Sequence, residues 1–347
     1  MIKLGSQEVT KVMKGTEEVS AVYRGSEEVW SADQGGAGWI QTSLSDEGLV
    51  AAGATIYDVA HNGRVWAVTG NKGAFATSPD GVNWSDTGVY LLPEEDEAYK
   101  NATDEFDLTD GDFRGIVWTG THWVVAGSLG NCTRSSDGVN WTTVPSLSTA
   151  VNGNRVYELV AHPEVAGEAI ALSSQGVGGR TVNHGSSFSQ IDMGVVGNFY
   201  GVAWNGNYWC AVGNSVAAKS SNGTSWSGTF VQSMNLKDVA WNGSVWCAIG
   251  LSGLCATSSD GLNWVSNNGI KDCVGSWNCR ALTSDGKRFI AAGVLGKILV
   301  SEDGLVWEEH SQALEYEIYG ICINDYGTVV GDTSTSVGFN EELKPAT

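Results

Sequence analysis

The sequence DVAWNGSVWCAIG, residues 238–250, decides the fold because close copies of it recur along the chain. The preceding copy reads GVAWNGNYWCAVG and spans residues 201–213. In both copies, two apolar runs of strand length flank an Asn-Gly pair, which supplies the positive φ angles of a tight hairpin turn. A third apolar run follows at residues 255–258. One repeat therefore predicts a small antiparallel meander.

Most repeats end on the motif Ser-x-Asp-Gly-x-x-Trp. Asp and Ser side chains accept backbone N–H groups within a turn, and Trp buries a large ring between neighbouring sheets. We therefore predict a structural role for the motif residues of the full copies, which are Ser78, Asp80, Gly81, Trp84, Ser135, Asp137, Gly138, Trp141, Ser258, Asp260, Gly261, Trp264, Ser301, Asp303, Gly304 and Trp307. Residues 181–188 carry Asn183 and Phe188 instead, which predicts an irregular sheet or one that faces a partner.

The aromatic residues that end successive repeats lie 38 to 57 residues apart, a spacing that suits four-stranded propeller blades. After Trp307 the chain supplies three further strands without a fourth, and the lone strand near residues 38–43 would complete that blade. This pairing removes two free sheet edges, which otherwise invite aggregation. The sequence thus predicts an all-β fold, a seven-bladed β-propeller of four-stranded blades whose ring is closed by an N-terminal strand.

A shorter repeat of ten residues occupies the front of the chain. Gly-Ser or Gly-Thr pairs at residues 5–6, 15–16 and 25–26 separate β-forming stretches, so strands are expected there. About 30 residues with few apolar side chains cannot bury a core alone. We assign residues 1–32 to a β-rich attachment and oligomerisation arm, 33–37 to a linker and 38–347 to the propeller.

Both motifs resemble known protein families. The Ser-x-Asp-Gly-x-x-Trp turns resemble the Asp-box of sialidase-like propellers, here about one residue shorter between Asp and Trp. The ten-residue Gly-Ser/Thr-x-Glu-Val repeat resembles the amino-terminal segments of tailed-bacteriophage virion proteins. That likeness implies a virion location, attachment to other virion proteins through the arm, and a homo-oligomer, with a trimer favoured. A flexible β-rich arm without an assembly role is the alternative.

Charge and hydropathy narrow the choice of partners. The chain has 19 Lys and Arg against 39 Asp and Glu, a formal net charge of −20, which repels phosphate backbones and anionic headgroups. No apolar run approaches the roughly 20 residues of a membrane span, and the charged front of the chain does not resemble a signal peptide. We therefore expect no nucleic-acid partner, no membrane insertion, and synthesis in the host cytoplasm.

Signatures of catalysis are weak. Residues 113–116 are the nearest string to the start motif of sialidases, but the string lacks the Pro of that motif. The five His residues show no ligand spacing. We therefore expect neither enzyme activity nor a cofactor, with a sialidase-like glycoside hydrolase as a further alternative.

An acidic insertion at residues 93–112 lengthens one repeat. It carries four weak candidates for Ca²⁺ ligands, namely Asp104, Asp107, Asp110 and Asp112. Their spacing misses the D-x-[DN]-x-[DN]-G loop, so a solvated loop is favoured and no metal site is expected.

The seven cysteines are an odd number, so at least one lacks a partner within the chain. Cys210 and Cys247 lie in apolar strand-like runs and are expected to be small buried hydrophobes. Cys273 and Cys279 form the plausible disulfide pair, and the sequence leaves open whether they are bridged.

These observations predict a phage virion structural protein, a tail-fibre, tail-tip or other appendage that binds a host-surface glycan or protein through propeller loops. Aromatic residues expected to be exposed are candidates for this contact, namely Tyr90, Tyr99, Tyr157 and Trp277. The alternatives are a capsid-decorating or baseplate protein without receptor binding, and a prophage-encoded cytoplasmic scaffold. The sequence gives neither the receptor nor the face that binds it.

Overall fold

A computed structural model describes residues 39–85, 113–138, 140–341 and residue 343, with the backbone of six short strands between residues 3 and 31. The expected strands of the arm pair as three antiparallel hairpins. They are β1 (Lys3–Leu4) with β2 (Gln7–Glu8), β3 (Met13–Lys14) with β4 (Glu17–Glu18), and β5 (Ala21–Arg24) with β6 (Glu27–Ser31). A Gly-Ser or Gly-Thr pair lies between the two strands of each hairpin.

In the described part of the chain, six further sheets surround a central channel. Most have four antiparallel strands, because short apolar runs alternate with Gly-containing turns. The first sheet contains β8 (Ile56–His61), β9 (Trp66–Gly70) and β10 (Phe75–Ser78). The second contains β11 (Phe113–Trp118), β12 (Trp123–Gly127), β13 (Cys132–Ser135) and β14 (Thr142–Thr143). The third contains β15 (Glu158–Ala161), β16 (Ala169–Leu172), β17 (Val177–Thr181) and β18 (Ser189–Asp192).

The remaining sheets complete the ring. The fourth contains β19 (Phe199–Trp204), β20 (Trp209–Ser220), β21 (Ser227–Trp241), β22 (Trp246–Gly250), β23 (Cys255–Ser258) and β24 (Val265–Asn267). The fifth contains β25 (Cys279–Ser284), β26 (Phe289–Gly293), β27 (Lys297–Ser301) and β28 (Glu308–Gln312). The sixth contains β29 (Ile318–Asn324), β30 (Gly327–Asp332), β31 (Ser336–Asn340) and β7 (Trp39–Ser43).

Helices are few and short. Two α-helices each precede the first strand of a sheet. They are α1 (Ser146–Ala150) before β15 and α2 (Gly269–Val274) before β25. One-turn 3₁₀ helices occur at Ser128–Gly130, Leu251–Gly253 and Val294–Gly296. None of the helices in the described residues has the length and apolar character needed to cross a membrane.

The predicted closure of the ring by an N-terminal strand is confirmed. Strand β7 pairs antiparallel with β31 along its whole length, from Trp39 opposite Asn340 to Ser43 opposite Ser336. The indole of Trp39 is fully buried in a cluster that includes Ile318 and Val330 of the same sheet. The two extremities of the propeller therefore hold each other through both hydrogen bonds and apolar packing.

The expected count of seven separate four-stranded sheets is not what the structure shows. Strand β21 is 15 residues long; its first half pairs with β20 and its second half, from Leu236, pairs with β22. Residues 229–238 contain neither Gly nor Pro, so the two strongest strand-breaking residues are absent from this segment. Two sequence repeats consequently share one six-stranded sheet, and the fold is an all-β propeller of six sheets with mostly four strands.

The core lies between neighbouring sheets and is rich in tryptophan. Trp66, Trp123, Trp209 and Trp246 begin the second strand of their repeats and are at most 2% exposed. The Nε1–H of Trp246 donates to the hydroxyl of Tyr208 in the preceding repeat at 3.1 Å. Because truncating such a side chain to Ala costs about 3–5 kcal/mol, these indoles stabilise the ring strongly.

All seven cysteines are free thiols. The pair left open by the sequence is not bridged: Cys273 lies in α2, whereas Cys279 begins β25 and is buried. The predicted burial of Cys210 and Cys247 is confirmed, since both are 0% exposed.

Candidate functional site

The Ser-x-Asp-Gly-x-x-Trp turns follow the third strand of their repeats and are closed by hydrogen bonds within themselves. In the turn at residues 258–264, Ser258 Oγ accepts the N–H of Gly261 at 3.0 Å, and Asp260 Oδ1 accepts the N–H of Asn263 at 2.8 Å. The Nε1–H of Trp264 donates to the carbonyl oxygen of Gly261 at 3.2 Å. Asp80 and Asp303 accept backbone N–H groups in the same way. This geometry engages the polar atoms of the motif in the fold itself.

Protonation of the turn aspartates reflects these bonds. Burial raises the pKa of Asp260, but hydrogen bonds from the backbone of Asn263 and Leu262, and from the side chains of Asn263 and Ser258, outweigh it and hold the pKa below its usual value. The pKa of Asp80 is lowered by the same balance of effects. The carboxylates of Asp80 and Asp260 are therefore ionised at neutral pH.

The variant turn at residues 181–188 is also closed. Asn183 Oδ1 accepts the N–H of Ser187 at 3.0 Å and the hydroxyl of Thr181 at 2.9 Å. Phe188 is buried against Leu147 of α1. The expectation of an irregular sheet was wrong, because β15–β18 form a regular four-stranded sheet in which an amide replaces the carboxylate.

The opposite end of the propeller carries different chemistry. Seven strands of the described chain line the channel, namely β8, β11, β15, β19, the second half of β21, β25 and β29. Third strands run parallel to these inner strands because each successive pairing is antiparallel. The closed turns therefore lie at the face where inner strands end, and the face where inner strands begin is free for other functions.

Three carboxyl groups lie inside the channel, which has a volume of about 590 Å³. Asp58, Glu158 and Asp238 occupy the same position in their inner strands, and glycines occupy it in three others. A Cβ on Gly201 would lie 2.6 Å from the Cα of Asp238, and one on Gly320 would lie 2.7 Å from the Cα of Asp58. Glycine is needed at these positions because the inner strands approach each other closely.

Two of these carboxyl groups join neighbouring inner strands. Asp58 Oδ2 accepts the N–H of Ile116 at 2.8 Å, and Asp238 Oδ2 accepts the N–H of Leu282 at 2.6 Å. Burial nevertheless raises the pKa of each Asp to about 7. Burial and the charges of Asp58 and Asp238 raise the pKa of Glu158 well above its usual value. At neutral pH the channel therefore holds fewer negative charges than its composition suggests.

A series of aromatic and cationic side chains lies at the end of the channel where the inner strands begin, which we call its mouth. Tyr57, Arg280 and Tyr319 also line the channel itself. The members of the series occupy the position directly before the channel carboxyls, the three glycines and Ala281, and all are partly exposed. We call this set the mouth ring; in order around the channel it consists of Tyr57, Arg114, Tyr157, Tyr200, Lys237, Arg280 and Tyr319. A register shift falls at every member except Tyr157. Such bulges re-aim side chains and occur frequently beside functional sites.

The four tyrosines of the mouth ring form two edge-to-face pairs. The ring centroids of Tyr57 and Tyr319 are 5.6 Å apart with an interplanar angle of 84°. Those of Tyr157 and Tyr200 are 4.9 Å apart with an angle of 81°. This geometry is favoured by the aromatic quadrupole, so each pair holds its rings in a defined orientation.

The three cations of the mouth ring stand against these tyrosines. The guanidinium of Arg114 lies 4.0 Å from the ring centroid of Tyr57, and the ammonium of Lys237 lies 3.9 Å from that of Tyr200. Both contacts are within the range of cation–π attraction. Burial and the nearby Arg280 guanidinium hold the pKa of Lys237 below its usual value.

Arg280 differs from Lys237 because it forms an ion pair with the carboxylate of Glu317. Its Nε–H donates to Glu317 Oε1 at 2.7 Å, while its guanidinium lies 5.3 Å from the ring centroid of Tyr319. The hydroxyl of Tyr319 donates to Glu317 Oε2 at 3.3 Å. Among the described residues, no carboxylate forms a comparable ion pair with Lys237. The mouth ring thus retains a positive charge in a strongly acidic protein.

The remaining candidate residues from the sequence lie in three different kinds of place. Tyr157 belongs to the mouth ring, but Trp277 is buried and its Nε1–H donates to the carbonyl oxygen of Val294, so the expectation of an exposed indole was wrong. The other named residues, Tyr90, Tyr99, Asp104, Asp107, Asp110 and Asp112, lie outside the described residues. Within the described ranges, no group of three or more His, Cys, Asp or Glu side chains is arranged to hold a metal ion.

The architecture defines a β-propeller, and comparison with known proteins supports that class. No family model and no curated protein matches the chain. The structure of YCF48 bound to D1 peptide is similar with a TM-score of 0.65 and 17% identity, covering 87% of this chain and 94% of that one. YCF48 from Cyanidioschyzon merolae has a TM-score of 0.61 and 12% identity, covering 88% and 99%. The WD40 β-propeller domain of Doa1 has a TM-score of 0.59 and 11% identity, covering 84% and 94%. At these identities the likeness shows the fold alone.

Proposed function

We propose that this protein is a phage virion attachment protein whose arm joins the particle and whose propeller binds a host-surface ligand at the mouth ring. The mouth ring carries the proposal. It collects partly exposed aromatic and cationic side chains around the opening of the channel, and all but Tyr157 lie at bulges, an arrangement suited to recognition.

Binding, not catalysis, is the proposed activity. The carboxyl groups of Asp58 and Asp238 each accept two backbone N–H groups. One oxygen of each Asp accepts an N–H of its own strand and the other an N–H of the neighbouring inner strand, which makes both groups poor candidates for proton transfer to a substrate. The mouth ring itself offers stacking surfaces and positive charge, which are means of holding a ligand.

The arm supports attachment to a larger assembly. Each of its three hairpins has strands of only two to five residues, and isolated hairpins of this size are marginal in water. We propose that the arm folds stably against other virion proteins and against copies of itself, as a trimer. Mass photometry should give a trimer for the full chain and a monomer for residues 38–347.

We also propose that the ring consists of seven structural blades, two of which share strand β21. Seven inner strands line the channel, and a φ of 59° at Ser233 bends β21 between its two paired halves. An experimental map with seven wedges around the axis is expected. A map with six evenly spaced wedges would contradict this count.

The proposed function is tested on particles. Mass spectrometry of purified virions from a phage that encodes this chain should detect it, and the purified protein should inhibit adsorption of that phage to its host. Absence of the chain from the virion would overturn the proposal. Presence without inhibition would favour a capsid-decorating or baseplate role instead.

A glycoside hydrolase is the second candidate, and Glu158 favours it. Its raised pKa and its place in the channel are properties of a general acid. Incubation of the protein with host polysaccharide, followed by end-group analysis, distinguishes the two activities. Release of reducing ends that is lost in Glu158→Gln would establish hydrolysis.

A further inference from the structure

We propose that the ligand of the mouth ring is an acidic saccharide chain that carries carboxylates on at least two of its sugar units. This inference rests on the proposed binding function and specifies its ligand. It follows from the order of side chains around the mouth, from their charges, and from what lies beneath them in the channel.

The order around the mouth alternates flat surfaces with cations. The pair Tyr57–Tyr319 and the pair Tyr157–Tyr200 are separated on one side by Arg114 and on the other by Lys237 and Arg280. Tyrosine presents an apolar face and a polar hydroxyl, which together match the C–H face and the hydroxyl groups of a pyranose. Two such pairs provide places for two sugar units.

The cations stand at two separated places. Arg114 is on β11, whereas Lys237 and Arg280 are on the adjacent strands β21 and β25, and two tyrosine-bearing strands separate these positions on either side. Hydrogen bonds between a cation and a carboxylate are about twice as strong as neutral ones. A ligand with one anionic group can meet only one of these places, so at least two carboxylates fit the mouth better.

The channel beneath the mouth favours a ligand that lies across the opening. Asp58, Glu158 and Asp238 come directly after mouth-ring positions in their strands and face one another closely enough to interact electrostatically. An anionic chain that threaded inward would meet these groups. Glu317, paired to Arg280, also removes part of the positive charge on that side. Lys237 is therefore expected to contribute more to carboxylate recognition than Arg280.

Titration calorimetry on the full-length protein tests the inference. The probes are tetragalacturonate and tetramannuronate, with fully methyl-esterified tetragalacturonate and maltotetraose as neutral controls. An acidic peptide with a free C-terminal carboxylate represents the other ligand class. We expect at least one of the two uronate tetramers to bind, the neutral tetramers to bind at least tenfold more weakly, and uronate affinity to fall as salt rises.

Variants locate the site. Arg114→Gln and Lys237→Gln should each weaken uronate binding at least fivefold, and Tyr157→Ala should do so while Tyr157→Phe retains most of the affinity. Arg64→Gln is the matched control, because Arg64 is an exposed cation in the turn after β8, at the opposite face. Circular dichroism of each variant shows whether it is folded.

The outcomes separate this inference from the proposed function. Equal affinity for acidic and esterified tetramers, tighter binding of the peptide, or no binding of either uronate would overturn the acidic-saccharide assignment. If the protein still inhibits phage adsorption in that case, the attachment function stands with another ligand. If uronate binds but the chain is absent from virions, the attachment function fails and the ligand class stands.

Discussion

The two faces of the propeller are built from the same repeat but use it differently. At the face where inner strands end, the repeat places Ser, Asp, Gly and Trp in turns whose polar atoms bond to one another. At the face where they begin, the corresponding positions hold Tyr, Arg or Lys, and no single residue type recurs throughout. Recurrent residues therefore build the scaffold, and the residues that depart from the repeat are the better candidates for recognition.

The largest expected effect is a difference in the free energy of unfolding between a variant at the face of the closed turns and a variant at the mouth. Trp264→Ala should lower the free energy of unfolding by about 3–5 kcal/mol, because the indole is 8% exposed and fills space between sheets. Tyr157→Ala, at the partly exposed mouth, should cost no more than about 1 kcal/mol. Urea denaturation measures both. Equal losses would remove the distinction between a structural and a recognition face.

A smaller effect tests the close approach of inner strands beneath the mouth. Gly201→Ala should destabilise by about 1–3 kcal/mol, since the new Cβ would lie 2.6 Å from the Cα of Asp238. Ala281 holds the same position in β25 and accommodates its methyl group, so Ala281→Gly should cost only about 0.5–1 kcal/mol. Thermal denaturation compares the two substitutions, and an unaffected Gly201→Ala would contradict the packing.

The two faces should respond oppositely to pH. The pKa of Asp58 is about 7 in the folded state and about 3.9 when unfolded. Between these two pH values the folded state binds more protons than the unfolded state, so protonation of Asp58 stabilises the fold. This stabilisation is complete below about pH 4 and is lost as the pH rises to about 7. Each pH unit is worth up to about 1.4 kcal/mol per group. Asp260 has a lowered pKa, so its stabilisation is present above pH 4 and is lost as pH falls.

Variants check these slopes. In urea titrations at a series of pH values, Asp58→Asn should flatten the dependence between pH 4 and 7, and Asp260→Asn should flatten it below pH 4. A slope between pH 4 and 7 that is unchanged in both Asp58→Asn and Asp238→Asn would show that the channel carboxyls are already ionised in the folded state.

The smallest effect concerns the thiols near the mouth. Cys273→Ser should change stability by no more than about 0.5 kcal/mol, because Cys273 is partly exposed and unbridged. Thiol labelling of the native protein should modify Cys273 well before the buried Cys279. If mild oxidation removed the labelling of both Cys273 and Cys279 and a thiol reductant restored it, the two thiols would have formed a disulfide and must approach each other in solution.

Much of the scaffold could be predicted from sequence because it repeats. The Asn-Gly and Asp-Gly turns predicted the meanders, and the unmatched strand at residues 39–43 predicted the closure of the ring. The shared strand β21 was missed, since the absence of Gly and Pro at residues 229–238 is a weak signal beside strong repeats. Trp277 is expected from the sequence to be exposed, whereas residues of α2 and of the neighbouring strands bury it.

Most of the mouth ring could not be predicted in the same way. Tyr157 is named from the sequence only as an aromatic residue expected to be exposed. The other members are far apart in sequence and come together only when the inner strands are arranged around one axis. The signal was available: each member directly follows a buried apolar residue, as Tyr57 follows Ile56 and Tyr200 follows Phe199. The bulges at all members but Tyr157 depend on strand pairing, which one sequence does not reveal.

The most direct test of the account compares the two faces in one assay, the inhibition of phage adsorption by purified protein. We predict that Asp260→Asn inhibits like the native chain, and that the double variant Arg114→Gln/Lys237→Gln needs at least tenfold more protein for the same inhibition. Undiminished inhibition by the double variant, with loss of inhibition in a folded Asp260→Asn protein, would place recognition at the face of the closed turns and contradict the account.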